Sequence, residues 1–330
     1  MKVLFASAAN SPDQSAGFLW DGLQTALGMS NVADATNGKA LRGEPGGWWA
    51  NDRPIRYNPL GHRVPQPNED DFDILLATST FLRDNSWDWL CNLCNRHLKS
   101  KGKFVWFETL DGAADYLMPL LAPDAVFKRE IDPGIQYAFK HKPLPLLCAI
   151  PERWFADPVY GWTDQKPYDV FNVSNAVCTG EPTRWGSLSP TFCTSRRTKS
   201  LAGDGVLQPN TLYLQVARLF KLIVEGPGGS GASDNGHMWE SISLGAIPLF
   251  VKQACRPRWP WYTGEHCFWC DRIEDLPATI EKALDSDLDT SRFLLKQHTL
   301  RWHTTEQRAR QFLQMVQEEA WLGAPGPWRW

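Results

Sequence analysis

The sequence lacks what would carry it across a membrane. No stretch approaches the roughly 18 uninterrupted apolar residues of a membrane span. The start MKVLFASAAN has one lysine and only the short apolar run Val3 to Ala6 before polar residues, too little for the apolar core of a secretory signal. The expected location is therefore the cytoplasm. Charge of one sign is also missing: Lys+Arg 34 against Asp+Glu 37 leaves a net charge of -3. No whole-molecule field attracts nucleic acid or anionic lipid, and any polyanion must be met by a local patch. Cysteine is sparse, at 8 in 330 residues. That excludes a disulfide scaffold and, without an export signal, predicts reduced thiols. Two CxxC pairs occur, Cys91/Cys94 and Cys267/Cys270. They lie much further apart than zinc-ribbon ligands do, and the first pair falls in a helical pattern with Trp87, Leu90 and Leu98, so no metal site is expected. Internal repeats and low-complexity tracts are absent as well.

What is present is a foldable composition with one excess. Hydrophobic residues make 43% and charged residues 22%, near the usual globular balance. At roughly 150 residues per domain, the length predicts two domains. The excess is tryptophan, 17 residues, which asks for a role beyond core filling. Apolar runs of strand length alternate with helical patterns, the signature of parallel-sheet α/β units. Val3–Ala6 precedes the pattern Phe18, Leu19, Leu23, Leu27. Phe72–Ala77 and Lys103–Phe107 read as strands flanking a helix over Trp87–Leu98. This half resembles a Rossmann-like domain. Residues 36–71, rich in Gly, Pro and Asn and without a period, form a long excursion of the kind that carries function. The proline-dense stretch His141–Pro151 stiffens the chain and places a boundary near 150, giving domains 1–150 and 151–330. The second half restarts with strand Tyr168–Val173. A helix about Thr211–Arg218, a strand Phe220–Val224, a helix His237–Leu244 and a strand Ile247–Val251 follow. Asp275 is placed to cap a helix over Leu276–Leu284. A tail helix over 304–320 carries Ala309, Phe312, Leu313 and Val316 on one face.

The most informative stretch is KLIVEGPGGSGASDNGHMWESISLGAIPLF, residues 221–250. Gly226, Gly228, Gly229 and Gly231 let the backbone take positive φ and approach a ligand closely. A helix that opens after such a turn presents unpaired N–H groups and a positive dipole end, which suits a diphosphate. Asp234 and Glu240 can accept hydrogen bonds from sugar or ribose hydroxyls, and Trp239 can offer a flat apolar face. Neither a nicotinamide GxGxxG in the first βαβ unit nor a P-loop GxxxxGK[ST] is present, so dehydrogenase and P-loop NTPase chemistry are not supported.

This segment resembles the donor-binding motif of exostosin-like and related glycosyltransferases of the two-domain GT-B type, which runs roughly P-x-G-x-G-x-D-x-H-R-x-W-E-x-L-x-x-G-x-I-P-V. Pro227, Gly229, Gly231, Asp234, Trp239, Glu240, Gly245, Ile247 and Pro248 match it. Upstream, Val126–Glu130 followed by Pro143-Leu-Pro resembles the YFKRE and PLP stretch that ends the first domain of these enzymes. Tyr168–Asn175 resembles the first strand of their second domain. The resemblance implies two Rossmann-like domains facing across a cleft, with the C-terminal helix free to return to the first. It implies transfer of a sugar from a UDP- or GDP-sugar to an acceptor hydroxyl, with no cofactor and no metal. Gly228, Gly229, Gly231, Asp234, His237, Trp239 and Glu240 would bind the donor. The sequence departs from the motif by one extra residue between Gly231 and Asp234, and by Gly236-His237 where the family has His-Arg. The family arginine would be a fixed cation for the diphosphate, whereas an imidazole is mostly neutral near pH 7. Arg196, Arg197, Lys252, Arg256 and Arg258 are the other cations that could meet it.

For an inverting reaction a carboxylate or histidine of the first domain takes the acceptor proton. Asp111, just after the strand KFVWF, is the first choice, with Glu108, Asp13 and His62 beside it. Trp48 and Trp49 in the excursion, and Trp259 and Trp261 after the last donor strand, suit an acceptor, since indole faces pack on sugars and stack on bases. The acceptor is accordingly a carbohydrate or, as in phage-type enzymes of the same fold, a hydroxymethylated pyrimidine in DNA. Basic clusters at Arg53/Arg56/Arg63, Arg96/Lys99/Lys101/Lys103 and Arg196/Arg197/Lys199 could then line a duplex. A sugar-nucleotide epimerase and a non-catalytic nucleotide-binding protein are the alternatives of other classes.

Overall fold

A computed structural model of the chain describes residues 1–7, 14–35, 72–80, 87–99, 102–109, 122–129, 143–146, 148–159, 161–172, 199–200, 214–215, 217–225, 236–251, 267–272 and 275–320. These fall into two compact units. The first joins Met1–Pro151 to a C-terminal segment that starts at His303, and the second is built on Glu152–Trp302.

The first unit is built on six parallel strands, β1 (Val3–Ala6), β2 (Val32–Asp34), β3 (Ile74–Thr78), β4 (Lys103–Glu108), β5 (Ala125–Lys128) and β6 (Leu144–Pro145), in the order β2-β1-β3-β4-β5-β6. The core strands read as near-continuous apolar runs, VLFA, ILLAT and KFVWFE, because a parallel sheet is covered on both faces. Helix α1 (Gln14–Leu27) buries Phe18, Leu19, Trp20 and Leu23, and α2 (Trp87–Lys99) buries Leu90, Leu93 and Cys94. Trp20 meets Phe5 edge to face at 5.5 Å.

The second unit carries five parallel strands, β7 (Tyr168–Asn172), β8 (Lys199–Ser200), β9 (Phe220–Glu225), β10 (Ile247–Val251) and β11 (Phe268–Cys270), ordered β11-β10-β9-β7-β8. Counted from its other edge, this is the order of the first five strands of the first unit. Each sheet reverses direction of growth once, between β1 and β3 in one unit and between β7 and β9 in the other. Helices α3 (Gly236–Ser243), α4 (Leu276–Leu284) and α5 (Leu288–Trp302) follow.

The last helix, α6 (Thr305–Gln317), belongs to the first unit and lies against α1. Ala309, Phe312, Met315 and Val316 are buried, each large side chain contributing about 1.5–3 kcal/mol. Gly22 makes this approach possible: a Cβ there would run into the Thr305 carbonyl. Thr305 Oγ1 donates to Asp21 Oδ2 at 2.6 Å, and Thr304 caps the helix by accepting from the Gln307 N–H. Ile150 pairs with the same entry, its N–H donating to His303 O and its carbonyl accepting from Thr305 N–H.

Three expectations from the sequence need correction. The second unit stops at Trp302 and does not run to the C-terminus, because 303–320 pack on α1. Asp275 precedes α4 without a side-chain cap bond; its backbone is in the helical region, where a capping carboxylate is wrongly aimed. Helix α5 was not foreseen at all, since buried Arg292 and Thr299 take positions where an amphipathic pattern needs apolar residues.

Candidate active site

In α/β sheets, ligands settle beyond the carboxyl ends of the strands, where the order reverses. In the second unit that point lies between β7, ending in Asn172, and β9, ending in Glu225. Residues 226–235 leave β9 here and lead to α3, so the glycine-rich segment starts at the position the topology reserves for a ligand. Glu225 is buried and accepts a hydrogen bond from Ser241 Oγ at 2.9 Å. This ties the strand end to the helix across the segment. Glu240 is also buried, and its carbonyl accepts from Ser243 Oγ and from Leu244 N–H. Trp239 has no exposed surface, and its ring lies in the core of this unit. His237 is the second residue of α3. Gly228, Gly229, Gly231, Asp234, Arg196, Arg197, Lys252, Trp259 and Trp261 lie outside the described residues.

The C-terminal end of α3 is held by its own backbone and by side chains from outside the helix. The helix closes in a Schellman motif, with Ala246 N–H on Ser241 O and Gly245 N–H on Ile242 O, and Gly245 at φ 79°. The Leu244 and Gly245 carbonyls then receive two buried basic side chains: Lys166 Nζ donates to Leu244 O and to Arg218 O, both at 2.7 Å, and Arg292 Nε donates to Gly245 O at 2.6 Å. Arg292 also reaches Thr163 O and Asp289 and lies 5.3 Å from the centre of the Trp162 ring, over which Lys296 sits at 4.6 Å. Burial, reinforced by Arg292 and Arg218, lowers the Lys166 amine to about 6.

In the first unit the equivalent edge is lined by hydroxyls and charges. At the β1/β3 reversal Thr78 Oγ1 donates to Ser7 Oγ at 3.1 Å and pairs with Thr80. Beside them Ser79 meets Thr109. Glu108, the last residue of β4, is buried and stands in register with Lys128, the buried last residue of β5. Arg129 follows, and its Nη1 donates to Ser15 Oγ in the first turn of α1, which also contacts Cys148 Sγ. Of the four candidates for the proton acceptor, Glu108 is therefore located at the expected edge. Asp13, His62 and Asp111 lie outside the described residues, as do Trp48 and Trp49.

Sequence reading missed Glu225, Ser241, Lys166 and Arg292. The first two flank the recognised motif and could have been found by asking what the strand end faces. The cations gave no signal, because a lysine or arginine in a sequence looks solvated until its carbonyl partners are placed. Among the cysteines, Cys94 is pushed up to about 12 by burial and Cys91, and Cys267 and Cys270 are raised by burial, so all three are neutral thiols packed in apolar surroundings. Among the described residues no helix is long and apolar enough to cross a membrane.

No protein-family model matches the sequence, and no curated protein matches it either. Solved structures do. The chain is similar to HepE of Anabaena, whose structure is a complex with UDP-glucose, at 11% identity over 96% of this chain and 100% of that one, TM-score 0.53. It is also similar to a glycosyltransferase from Rickettsia africae, at 10% identity over 96% and 97% of the two chains, TM-score 0.56. At such identity the likeness speaks for architecture: the chain carries the GT-B fold, two Rossmann-like units of parallel α/β build, that glycosyltransferases of known structure share.

Proposed function

We propose that the chain is a glycosyltransferase that moves a sugar from a UDP- or GDP-sugar to an acceptor hydroxyl, with inversion and without a divalent metal. One observation carries the reading: the glycine-rich segment leaves β9 at the strand-order reversal and ends in α3, with Glu225 and Glu240 buried on either side of it. The N-terminal dipole of α3, His237 and the cations Lys252, Arg196 and Arg197 stabilise the departing diphosphate, so a metal is not required. The acidic side chains accept hydroxyls of the ribose or sugar. The acceptor oxygen bonds to the anomeric carbon as the bond to the diphosphate breaks. The acceptor proton passes to Asp111, or to Glu108 at the end of β4, leaving the nucleoside diphosphate as product.

The test is incubation of the purified chain with UDP- and GDP-sugars, with and without glycan acceptors and hydroxymethylcytosine DNA, reading released nucleoside diphosphate and sugar carried by the acceptor. Transfer to a glycan is the expected result. Interconversion of the sugar on its nucleotide would identify an epimerase, and binding of UDP or GDP without turnover would identify a nucleotide-binding protein. Transfer to the DNA would replace the glycan by a base as acceptor.

A further inference from the structure

Helix α5 wears its side chains inside out. It turns Leu288, Arg292, Leu295 and Thr299 to the core of its unit, and Thr290, Phe293, Leu294, Gln297 and Arg301 to solvent. Among the described residues four large hydrophobic side chains are exposed; Met1 and Val159 stand singly, whereas Phe293, 58% exposed, and Leu294, 42%, are neighbours. Rotation of the helix cannot hide them. Phe293 follows Arg292 by about 100° around the axis, so bringing it into the core would carry Arg292 off the Gly245 carbonyl, bonded at 2.6 Å, and the Thr163 carbonyl, bonded at 2.8 Å. The exposed positions 290, 293, 294, 297 and 301 recur at the spacing by which one helix packs on another.

The ends of this stripe carry opposite charge. At one end Asp285, Asp287 and Asp289 are exposed, and Asp287 Oδ1 caps the helix by accepting from the Thr290 N–H. From Thr290 to Thr305 the sequence has no carboxylate, and at the far end Arg301 is exposed, 4.8 Å over the Trp302 ring. The three aspartates would face the headgroups of an anionic membrane, which disfavours that occupant. A second copy of the stripe, run the other way, matches it. We propose that this face docks a second copy of the chain, α5 antiparallel to α5 about a two-fold axis between Phe293 and Leu294. The symmetry sets Phe293 and Leu294 each on its own counterpart, Thr290 opposite Gln297 of the copy, and Asp287 opposite Arg301 of the copy: an apolar centre with a polar rim. Asp287 lies about 10 Å before the axis and Arg301 about 11 Å after it, so the two ion pairs close together. One helix from each copy is a small contact, and a Kd of about 10–100 µM is expected.

The experiment is sedimentation equilibrium of the full chain up to about 1 mM, at low and high salt. A reversible monomer–dimer equilibrium is expected, weakened at least about tenfold by Phe293→Ser, which at an exposed position leaves the urea midpoint in place. Arg301→Glu and Asp287→Lys each set like charges opposite one another and should each abolish the dimer. An equimolar mixture of these two variants should recover it as a heterodimer, because every facing pair is again of opposite sign. Should Asp287→Lys not fold for want of its cap, Asp287→Asn keeps the cap and must weaken the dimer and its salt dependence together; an unchanged Kd refutes the pairing. A chain that stays monomeric throughout, a dimer indifferent to Phe293→Ser, or a mixture that associates no better than its components overturns the proposal. So does a monomer that binds phosphatidylglycerol vesicles through Phe293, which would make the face a membrane contact.

Discussion

The two units repeat one strand order, β2-β1-β3-β4-β5 in the first and β8-β7-β9-β10-β11 in the second, yet they invest their buried polar groups differently. In the second unit the polar ties gather on the C-terminal part of a single helix: Glu225 holds Ser241 in the last turn of α3, and Lys166 and Arg292 hold the carbonyls of Leu244 and Gly245 just beyond it. In the first unit the strand ends carry hydroxyls, Glu108, Lys128 and Arg129, while the tightest helix contact lies away from them, at α1 and α6. Topology thus determines where a ligand edge forms in both units, and the side chains decide what each edge can do. One holds the helix that follows the glycine-rich segment, which the proposed function assigns to the donor diphosphate. The other presents groups that can take a proton.

The largest test of that division is Asp111→Asn. Under the proposed mechanism, transfer should fall by about 10²–10⁴, while the Kd of UDP stays unchanged by calorimetry. A UDP affinity that moves with Asp111 would break the comparison. Glycine substitutions come next, read as urea midpoints. Gly22→Ala drives a methyl group into the Thr305 carbonyl, which neither α1 nor α6 can avoid without parting, so a loss of about 3 kcal/mol or more is expected. Gly245→Ala meets a milder contact with Trp162 but must hold φ 79°, for about 2 kcal/mol. It should also weaken UDP binding, whereas Gly22→Ala should not. Ser241→Ala, which leaves the buried Glu225 carboxylate short of one donor, is expected to cost about 1–3 kcal/mol.

Much of this arrangement was legible in the sequence because local signals agreed with the fold. Strands such as KFVWF and IPLFV are apolar throughout and flanked by breakers, and GGSGASDNGHMWE joins glycines to a helix start. What stayed hidden has a common cause: burial is not written in residue type. Arg292 and Thr299 disguise α5 as surface, and Lys166 reads as an ordinary lysine before a proline. Trp239 looks like a ligand platform in its motif, and only its packing shows it to be core, as Trp20, Trp106 and Trp154 also are. The tryptophan excess is in part this core demand and in part Trp162, a half-buried ring beneath two cations. The return of α6 to the first unit was implied by the family resemblance and not by the helix's own residues, since the apolar face of a helix does not name the element it will cover.

The smallest predicted effect lies where the units come closest to being alike. Helix α6 ends as α3 does, with Ala320 N–H on Met315 O and Glu319 N–H on Val316 O, but the residue with positive φ is Glu319 at 49°, where α3 has a glycine. A side chain is tolerated because it points to solvent and meets Lys103 Nζ at 2.7 Å, whereas at Gly245 the space is taken by Trp162. Glu319→Gly relieves a left-handed strain of about 1 kcal/mol, but it also frees the unfolded chain by about 0.4–1 kcal/mol and gives up an ion pair whose partners are 31% and 46% exposed, worth about 0–1 kcal/mol. The three contributions nearly cancel, so the urea midpoint should shift by less than about 1 kcal/mol equivalent in either direction. Glu319→Gln isolates the ion pair, and its small loss should vanish in 1 M salt, where screening acts over about 3 Å. A large loss for Glu319→Gly would mean that this helix end is clamped like that of α3, and the contrast between a fixed α3 and a loosely finished α6 would have to be given up.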